Sequence, residues 1–340
     1  MRVAVVRNKD ATGVINRFGQ PYPRPAEPYD WPQDPSEGVV AALQEGGHEV
    51  LLCEGDKGLL AALEQFMPPD MEARPSGIVF NLANGIQGES RLTHVPAMLE
   101  MAGVPYTGPG PLGYALAHEK VITKRLIRGH GLPTPNFRVM HRGTENTGDL
   151  RFPLVVKPPR EDDSIGLQLV HEPDELKQAV EVIVEQYGQE ALVEEYIEGR
   201  EVSVPLLGNG DLEVLPLVEQ DFGDRATRLM TWEAKYVAAA APSKICPAQI
   251  GSRLATILRD ISIATFRACH GRDYARVDFR IDRFDQPFVL EINAGPLLTT
   301  GSSYGVAART AGHSLSSLVN RILDVAHTRY FATDIPQGRT

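Results

Sequence analysis

The residues best able to do chemistry cluster late in the chain, in the stretch from Ala275 to Ser303, ARVDFRIDRFDQPFVLEINAGPLLTTGSS. Two runs of alternating character flank the turn DRFDQP, a pattern that predicts a β-hairpin. Side chains alternate faces along a strand. Val277, Phe279 and Ile281 therefore share one face, and Arg276, Asp278 and Arg280 the other. On the return strand Phe288, Leu290 and Ile292 form the apolar set, with Glu291 and Asn293 opposite. Folding about the turn brings Asp278 near Glu291 and Asn293, with Arg276 beside them. Two carboxylates and an amide oxygen on one wall suit a hard cation such as Mg²⁺, which keeps places for water and substrate phosphate. The loop Asn293-Ala-Gly-Pro296 follows at once, and a strand end opening into a loop is where sites sit.

A phosphate ligand needs local positive charge, and this chain has little to spare. Its 340 residues include 34 Lys and Arg against 44 Asp and Glu, a formal net charge of −10. That balance, with no basic run, argues against non-specific binding to nucleic acid or membranes. Individual cations must do the work. Lys157 lies on a predicted strand, on the face opposite Leu154 and Val156, and two prolines follow it. Lys120 lies on a predicted helix. Cys53, Cys246 and Cys269 are far apart and odd in number, which suggests neither a disulfide framework nor a zinc site. No stretch resembles a leader peptide or is apolar for long enough to span a bilayer. The reading is a cytoplasmic protein.

The elements that must position these groups begin with a short buried strand, Val3 to Arg7, and a long Pro- and Gly-rich loop over 8–35, expected to be functional or mobile. Strands at 48–53, 77–82 and 104–107 alternate with helices at 36–45, capped by Ser36, 57–66 and 92–101, which predicts an α/β unit with a parallel sheet. Gly108-Pro-Gly-Pro-Leu-Gly113 matches the G-x-G-x-x-G pattern formally. It follows the fourth strand and not the first, and its prolines remove N–H donors, so it reads as a connecting turn. One helix is expected over 116–129. Strands at 152–157, 167–170 and 192–197 with a helix at 173–187 make a second unit. Strands at 201–207 and 213–218, a long segment 219–250 carrying Trp232, Lys235 and Tyr236, a helix at 250–270, the hairpin and a closing helix at 313–326 make a third.

Lys120, Lys157, the turn PREDDSIG, Glu194-Glu195-Tyr196-Ile197, Glu201, Lys235-Tyr236, Asp278 and Glu291-Ile-Asn293 occur in one order. In that order they resemble the ATP-grasp ligases, and within them the D-alanine–D-alanine ligase family, over nearly the whole chain from Asn81 onward. The loop NLANGIQGE, ending at Glu89, looks like the family's glycine loop and places Glu89 on the substrate side. The resemblance implies an ATP-grasp fold: an N-terminal α/β substrate-side domain (1–117), a small lid (118–197) and a C-terminal α+β catalytic domain (198–340). ATP would lie between the last two. Lys120, Lys157, the strand 194–197 and Glu201 would hold it, with Glu201 on the ribose hydroxyls. Asp278, Glu291 and Asn293 match a two-magnesium site. Arg276 would hold the oxyanion of a tetrahedral intermediate. Lys235, Tyr236 and the retained Ser164 belong to the loop and turn that close over the reaction. The implied chemistry is amide formation through an acyl phosphate, and the implied assembly a homodimer.

The departures concern the substrates. The first strand ends in Arg7-Asn-Lys-Asp10, with no glutamate to hold a donor's ammonium, and loop 8–35 is its natural replacement. Asp162 stands where the family has glycine and Asp163 where it has the serine that meets the loop tyrosine. Three adjacent carboxylates beside a triphosphate are electrostatically awkward; either they point away, or Asp163 accepts a hydrogen bond from Tyr236. Leu297 replaces a glycine near the acceptor, whereas Ser302 matches a serine that binds the acceptor carboxylate. Three readings stay open: a ligase with another donor, a D-alanine–D-alanine ligase proper, and a nucleotide-binding protein without turnover.

Overall fold

The structure, a computed structural model, describes residues 1–8, 34–72, 75–86, 88–225, 228–236 and 241–332, with backbone only at Glu233 and Tyr236. Nearly all of loop 8–35 therefore lies outside the described residues. The first sheet is parallel, in the order β2 (Glu49–Glu54), β1 (Arg2–Arg7), β3 (Gly77–Asn81). Helix α1 (Pro35–Glu45) is capped by Asp34, not Ser36, because Pro35 at the first helical position fixes the chain one residue earlier. Ser36 is instead buried and accepts from Arg7 Nη1 at 2.7 Å. Helices α2 (Leu59–Phe66) and α3 (His94–Met101) cover the opposite face. The strand expected at 104–107 reduces to one parallel bridge, Val79 to Tyr106.

The single helix expected over 116–129 is two: α4 (Pro111–His118) and α5 (Lys120–Gly129). Glu119 is extended between them, and its carboxylate accepts from Val121 N–H at 3.2 Å. This break puts Lys120 at the first position of α5. Gly108–Gly110 is the connecting turn expected, with Gly110 at the cap and Pro111 at the first helical position.

The second sheet is antiparallel, in the order β4 (Phe137–Met140), β7 (Ala191–Glu195), β5 (Leu154–Lys157), β6 (Gln168–Val170). Helix α6 (Pro173–Val182) packs its Leu176, Ala179 and Val180 against this sheet.

The third sheet runs β11 (Ser243–Ile245), β10 (Val218–Asp221), β8 (Arg200–Leu207), β12 (Tyr274–Ile281), β13 (Pro287–Asn293), with β9 (Glu213–Val214) pairing β8. Helix α8 (Ser252–Ala268) covers one face. Segment 219–250 is thus not a plain loop. Its ends are β10 and β11, paired at Asp221 and Ser243, and the short helix α7 (Trp232–Tyr236) lies between them. Beyond the hairpin come α9 (Ser303–Thr310), not foreseen, and α10 (Leu315–Phe331). The closing helix α10 packs beside α1 into the core of the first sheet. Among the described residues no helix is long and apolar enough to cross a membrane.

Candidate active site

The hairpin forms with Val277, Phe279 and Ile281 fully buried, each worth about 1.5–3 kcal/mol of burial. Its return strand departs from simple alternation. Asp278 pairs with Glu291 but Phe279 pairs with Val289, so Leu290 is an extra residue. Val289 and Ile292, and not Phe288 and Leu290, are the buried pair. A bulge re-aims side chains, and this one lies beside Glu291 on the polar wall. Asp278 is the hub of that wall. It accepts from Ser203 Oγ at 2.7 Å, Arg276 Nε at 2.8 Å and Nη2 at 2.7 Å, and Asn293 Nδ2 at 2.8 Å. The Asp278 carboxylate raises the Arg276 pKa against the cost of burial.

The lysines arrive from the second sheet and from α5. Glu194, 2% exposed, lies between Lys157 Nζ at 2.5 Å and Lys124 Nζ at 2.7 Å. Burial alone would raise its pKa, but Lys124 and then Lys157 bring it down to about 2. Lys124 is wholly buried, and burial with Lys157 beside it takes its pKa down to about 8 despite Glu194. Lys157 is held up by Glu194 and then Glu291, which outweigh burial. Lys120 Nζ donates to the Glu161 carbonyl at 2.5 Å and stands 3.8 Å from Glu291 Oε2. Glu291 ties the two sets together. Desolvation would raise its pKa, yet the fields of Lys120, Lys157, Lys235 and Arg276 hold it below the usual range.

Arg280 organises the neighbouring wall. Its Nε donates to the Ile197 carbonyl at 2.9 Å and its Nη2 to Tyr196 Oη at 3.0 Å, and its guanidinium lies over the Tyr196 ring at 5.0 Å. Its Nη1 reaches the Arg228 carbonyl at 2.7 Å and Glu201 at 3.4 Å. Burial and Asp278 raise the Glu201 pKa, with Arg280 opposing. The Glu195 carboxylate accepts from Asn136 Nδ2 at 3.1 Å and Arg151 N–H at 3.1 Å, and its own N–H donates to the Asn136 carbonyl at 2.9 Å.

Of the three carboxylates of the 160–166 turn, Asp162 and Glu161 have partners of their own, whereas the field of Asp163 reaches Arg276. Asp162 Oδ2 accepts from Arg91 Nη2 at 2.8 Å, and His118 Nδ1 stands 3.6 Å from Asp162 Oδ1. Glu161 is buried and accepts from Gln189 Nε2 at 2.6 Å, and burial pushes its pKa up. Asp163 and Ser164 take left-handed backbone at φ 58° and 60°, and Ser164 Oγ donates to the Met230 carbonyl at 2.7 Å. Whether Asp163 meets the Tyr236 hydroxyl lies outside the described residues. Ser302 caps α9: its Oγ accepts from Gly305 N–H at 3.0 Å and faces the Leu297 carbonyl at 2.6 Å. Glu89 is exposed, 3.8 Å from Arg160. Glu89 and Ser302 are thus not part of the charged cluster around Glu291.

Sequence reading missed Lys124, Ser203 and Arg91 as site residues and left Arg280 without a role. Lys124 had a signal, since it follows Lys120 by one helical turn on the same face. Ser203 and Arg91 had none, because their partners are 75 and 71 residues away.

The donor set fits a hard divalent cation. Asp278 and Glu291 face each other with two negative charges, and Asn293, whose N–H is committed to Asp278, keeps its amide oxygen for coordination.

Residues 126–324 match the family described as D-ala D-ala ligase C-terminus. The uncharacterized protein y4sG of Sinorhizobium fredii is 68% identical over 98% of this chain and 99% of its own. D-alanine–D-alanine ligases of Pelotomaculum thermopropionicum and Carboxydothermus hydrogenoformans are 34% and 33% identical, over 73% and 84% of this chain and 80% and 90% of theirs. Among solved structures, D-alanine–D-alanine ligase from Bacillus anthracis complexed with ATP shares the fold, with a TM-score of 0.74 at 21% identity over 98% of this chain and 99% of that one. The matched region holds Lys157, Glu194, Arg276, Asp278, Glu291 and Asn293, and the chain belongs to the D-alanine–D-alanine ligase family of ADP-forming ligases with the ATP-grasp fold.

Proposed function

We propose that this chain joins a carboxylate to an amine, making a dipeptide-like amide through an acyl phosphate at the expense of ATP. One observation carries the reading. In a protein of net charge −10, Lys120, Lys157, Lys235 and Arg276 all bear on Glu291, beside the Asp278–Asn293 pair. Such a group of cations against two acidic oxygens suits a polyphosphate carrying divalent metal. Lys157 and Lys120 hold phosphate oxygens and take up charge as a donor carboxylate oxygen bonds to the γ-phosphorus and the bond to ADP breaks. The acceptor nitrogen then bonds to the acyl carbon, a proton leaves it, and the C–O bond to phosphate breaks. Arg276, fixed on Asp278, is placed to steady the oxyanion between these events. When bound, Mg²⁺ neutralises phosphate charge; Asp278, Glu291 and Asn293 would hold it, as two ions.

The donor is not assigned to D-alanine. Asn8, at the end of β1, is committed to structure: its Oδ1 accepts from Gly85 N–H at 2.8 Å and its Nδ2 donates to the Gly55 carbonyl at 3.2 Å. Arg7 is taken by Asp34, Glu54 and Ser36. Among the described residues there, the acids Asp34 and Glu54 are both paired with Arg7.

The test is incubation with ATP, Mg²⁺ and a panel of amino acids and carboxylates, following phosphate release and the mass of new products. Amide product with a donor other than D-alanine supports the proposal. Product with D-alanine alone supports a D-alanine–D-alanine ligase proper, and no product with any pair supports a nucleotide-binding protein without turnover. The segment 219–250, which includes the excursion 222–242 between β10 and β11, is the one expected to close over the site. Limited trypsin digestion should cleave at Arg225, Arg228 or Lys235, and Mg·ATP should slow those cuts several-fold. Equal cleavage with and without nucleotide would remove the lid role.

A further inference from the structure

The departure at Asp162 has a partner on the first part of the chain. Arg91 follows the glycine loop, His118 ends α4, and Asp162 lies in the turn beside Lys120; all three meet at one point. Arg91 Nη2 donates to Asp162 at 2.8 Å, and Arg91 Nη1 stands 3.3 Å from His118 Nε2 and 3.4 Å from the Arg160 carbonyl. Arg160 adds a second link across the same gap, to Glu89 at 3.8 Å, and is itself held by Glu119 at 3.0 Å. His118 is buried and the Arg91 side chain is only 14% exposed, while the Asp162 side chain is 49% exposed, so the pair is open to solvent on its acid side. The turn's other side is anchored too, through Ser164 to the 222–242 excursion.

We propose that Arg91, His118 and Asp162 are positioning residues that latch turn 160–166 onto the N-terminal substrate-side part at Arg91, so that the turn, held on its other side by Ser164 against Met230, seats over the triphosphate. The role rests on the ligase reading above. A turn held from both sides keeps water from the acyl phosphate. A turn free at the Asp162 end leaves the cleft open between the two chemical steps. The acid is suited to the task. Desolvation would raise its pKa, but His118, then Arg91 and Lys120, keep it well below the usual carboxylate range, so the latch stays charged. Glycine at this position, as the family resemblance implies, has no side chain with which to make the link.

The experiment compares the full-length protein with Arg91→Ala, Asp162→Gly and the double variant. Hydrogen exchange of the 160–166 amides is read by mass spectrometry, without substrate and with Mg·ATP. Faster exchange confined to the turn is expected in both single variants. The double variant should be no worse than either, since both remove one link. In the assay the KM for ATP should rise roughly 2–5-fold, the scale of one solvent-exposed ion pair, and phosphate released per amide formed should increase. Exchanging the charges, Arg91→Asp with Asp162→Arg, should recover part of the loss and excludes simple misfolding. Unchanged exchange in both single variants, or additive losses in the double, would overturn the latch. If exchange responds as expected while the wild type forms no amide with any substrate pair, the latch stands and the ligase reading fails.

Discussion

Replacing Asp278 by asparagine is expected to lower turnover by about 10³-fold, the scale of losing a preorganised electrostatic contact at a reacting centre. The substitution keeps the shape and removes one negative charge. It also breaks a built arrangement, because Asp278 now accepts four hydrogen bonds, two of them from Arg276. Asparagine offers one oxygen and turns an NH₂ group toward donors. The metal side and the Arg276 side should therefore fail together. Glu291→Gln separates them, since Arg276 makes no hydrogen bond to Glu291 among the described residues and acts on it only through its field. In Glu291→Gln the Mg²⁺ concentration needed for half-maximal rate should rise, with Arg276 still fixed. The measurements are kcat, KM for ATP and Mg²⁺ dependence, with thermal melting to confirm the fold. Near-normal turnover in Asp278→Asn would remove the metal assignment.

Glu194→Gln should be the most destabilising single change at the site. It leaves Lys124 and Lys157, both buried, without their shared counter-charge. Removing one member of a buried ion cluster costs about 3–5 kcal/mol. At about 2–4 °C per kcal/mol the melting temperature should fall by about 6–20 °C. The pH dependence has a definite sign. The Glu194 carboxyl is depressed from its ordinary 4.5 to about 2, so its stabilisation is complete above the ordinary value and is lost as pH falls through about 2. The gap between wild type and variant should be full at neutral pH and shrink through that window. Saturating Mg·ATP should raise the variant's melting temperature by more than the wild type's, because phosphate oxygens supply the missing negative charge. A melting temperature within 1 °C of wild type, about what a surface substitution does, would show that the lysines are not held by this residue.

How much of this was legible depends on the range of the interaction. The period-2 alternation of 276–281 held because one face is apolar and the other polar, although Asp278 and Arg280 are buried as well, and the core residues Val277, Phe279 and Ile281 follow from it. The return strand did not read through, because a bulge at Leu290 resets the alternation and leaves no local mark. The Lys120 helix was legible as amphipathic, but not its break at Glu119 or the burial of Lys124, which depends on a carboxylate 70 residues later. Helix α9 was missed because Ser303-Tyr-Gly305 looks like loop. Arg280 was placed on the correct face, but its role as organiser of Tyr196, Ile197 and Glu201 arises only once β8 lies beside β12. The pairing of Asp162 with Arg91 joins two parts of the chain that no local pattern connects.

The central claim is that the late hairpin and the two lysines, Lys120 and Lys157, serve one triphosphate. Co-crystallisation with ADP and Mn²⁺ tests it most directly, with the metal located by its anomalous scattering. The expected result is manganese within about 2.0–2.3 Å of oxygens from Asp278, Glu291 and Asn293, in the range of hard-cation coordination, with Lys120 and Lys157 on the phosphates. Nucleotide bound elsewhere, or metal away from that wall, would contradict the account.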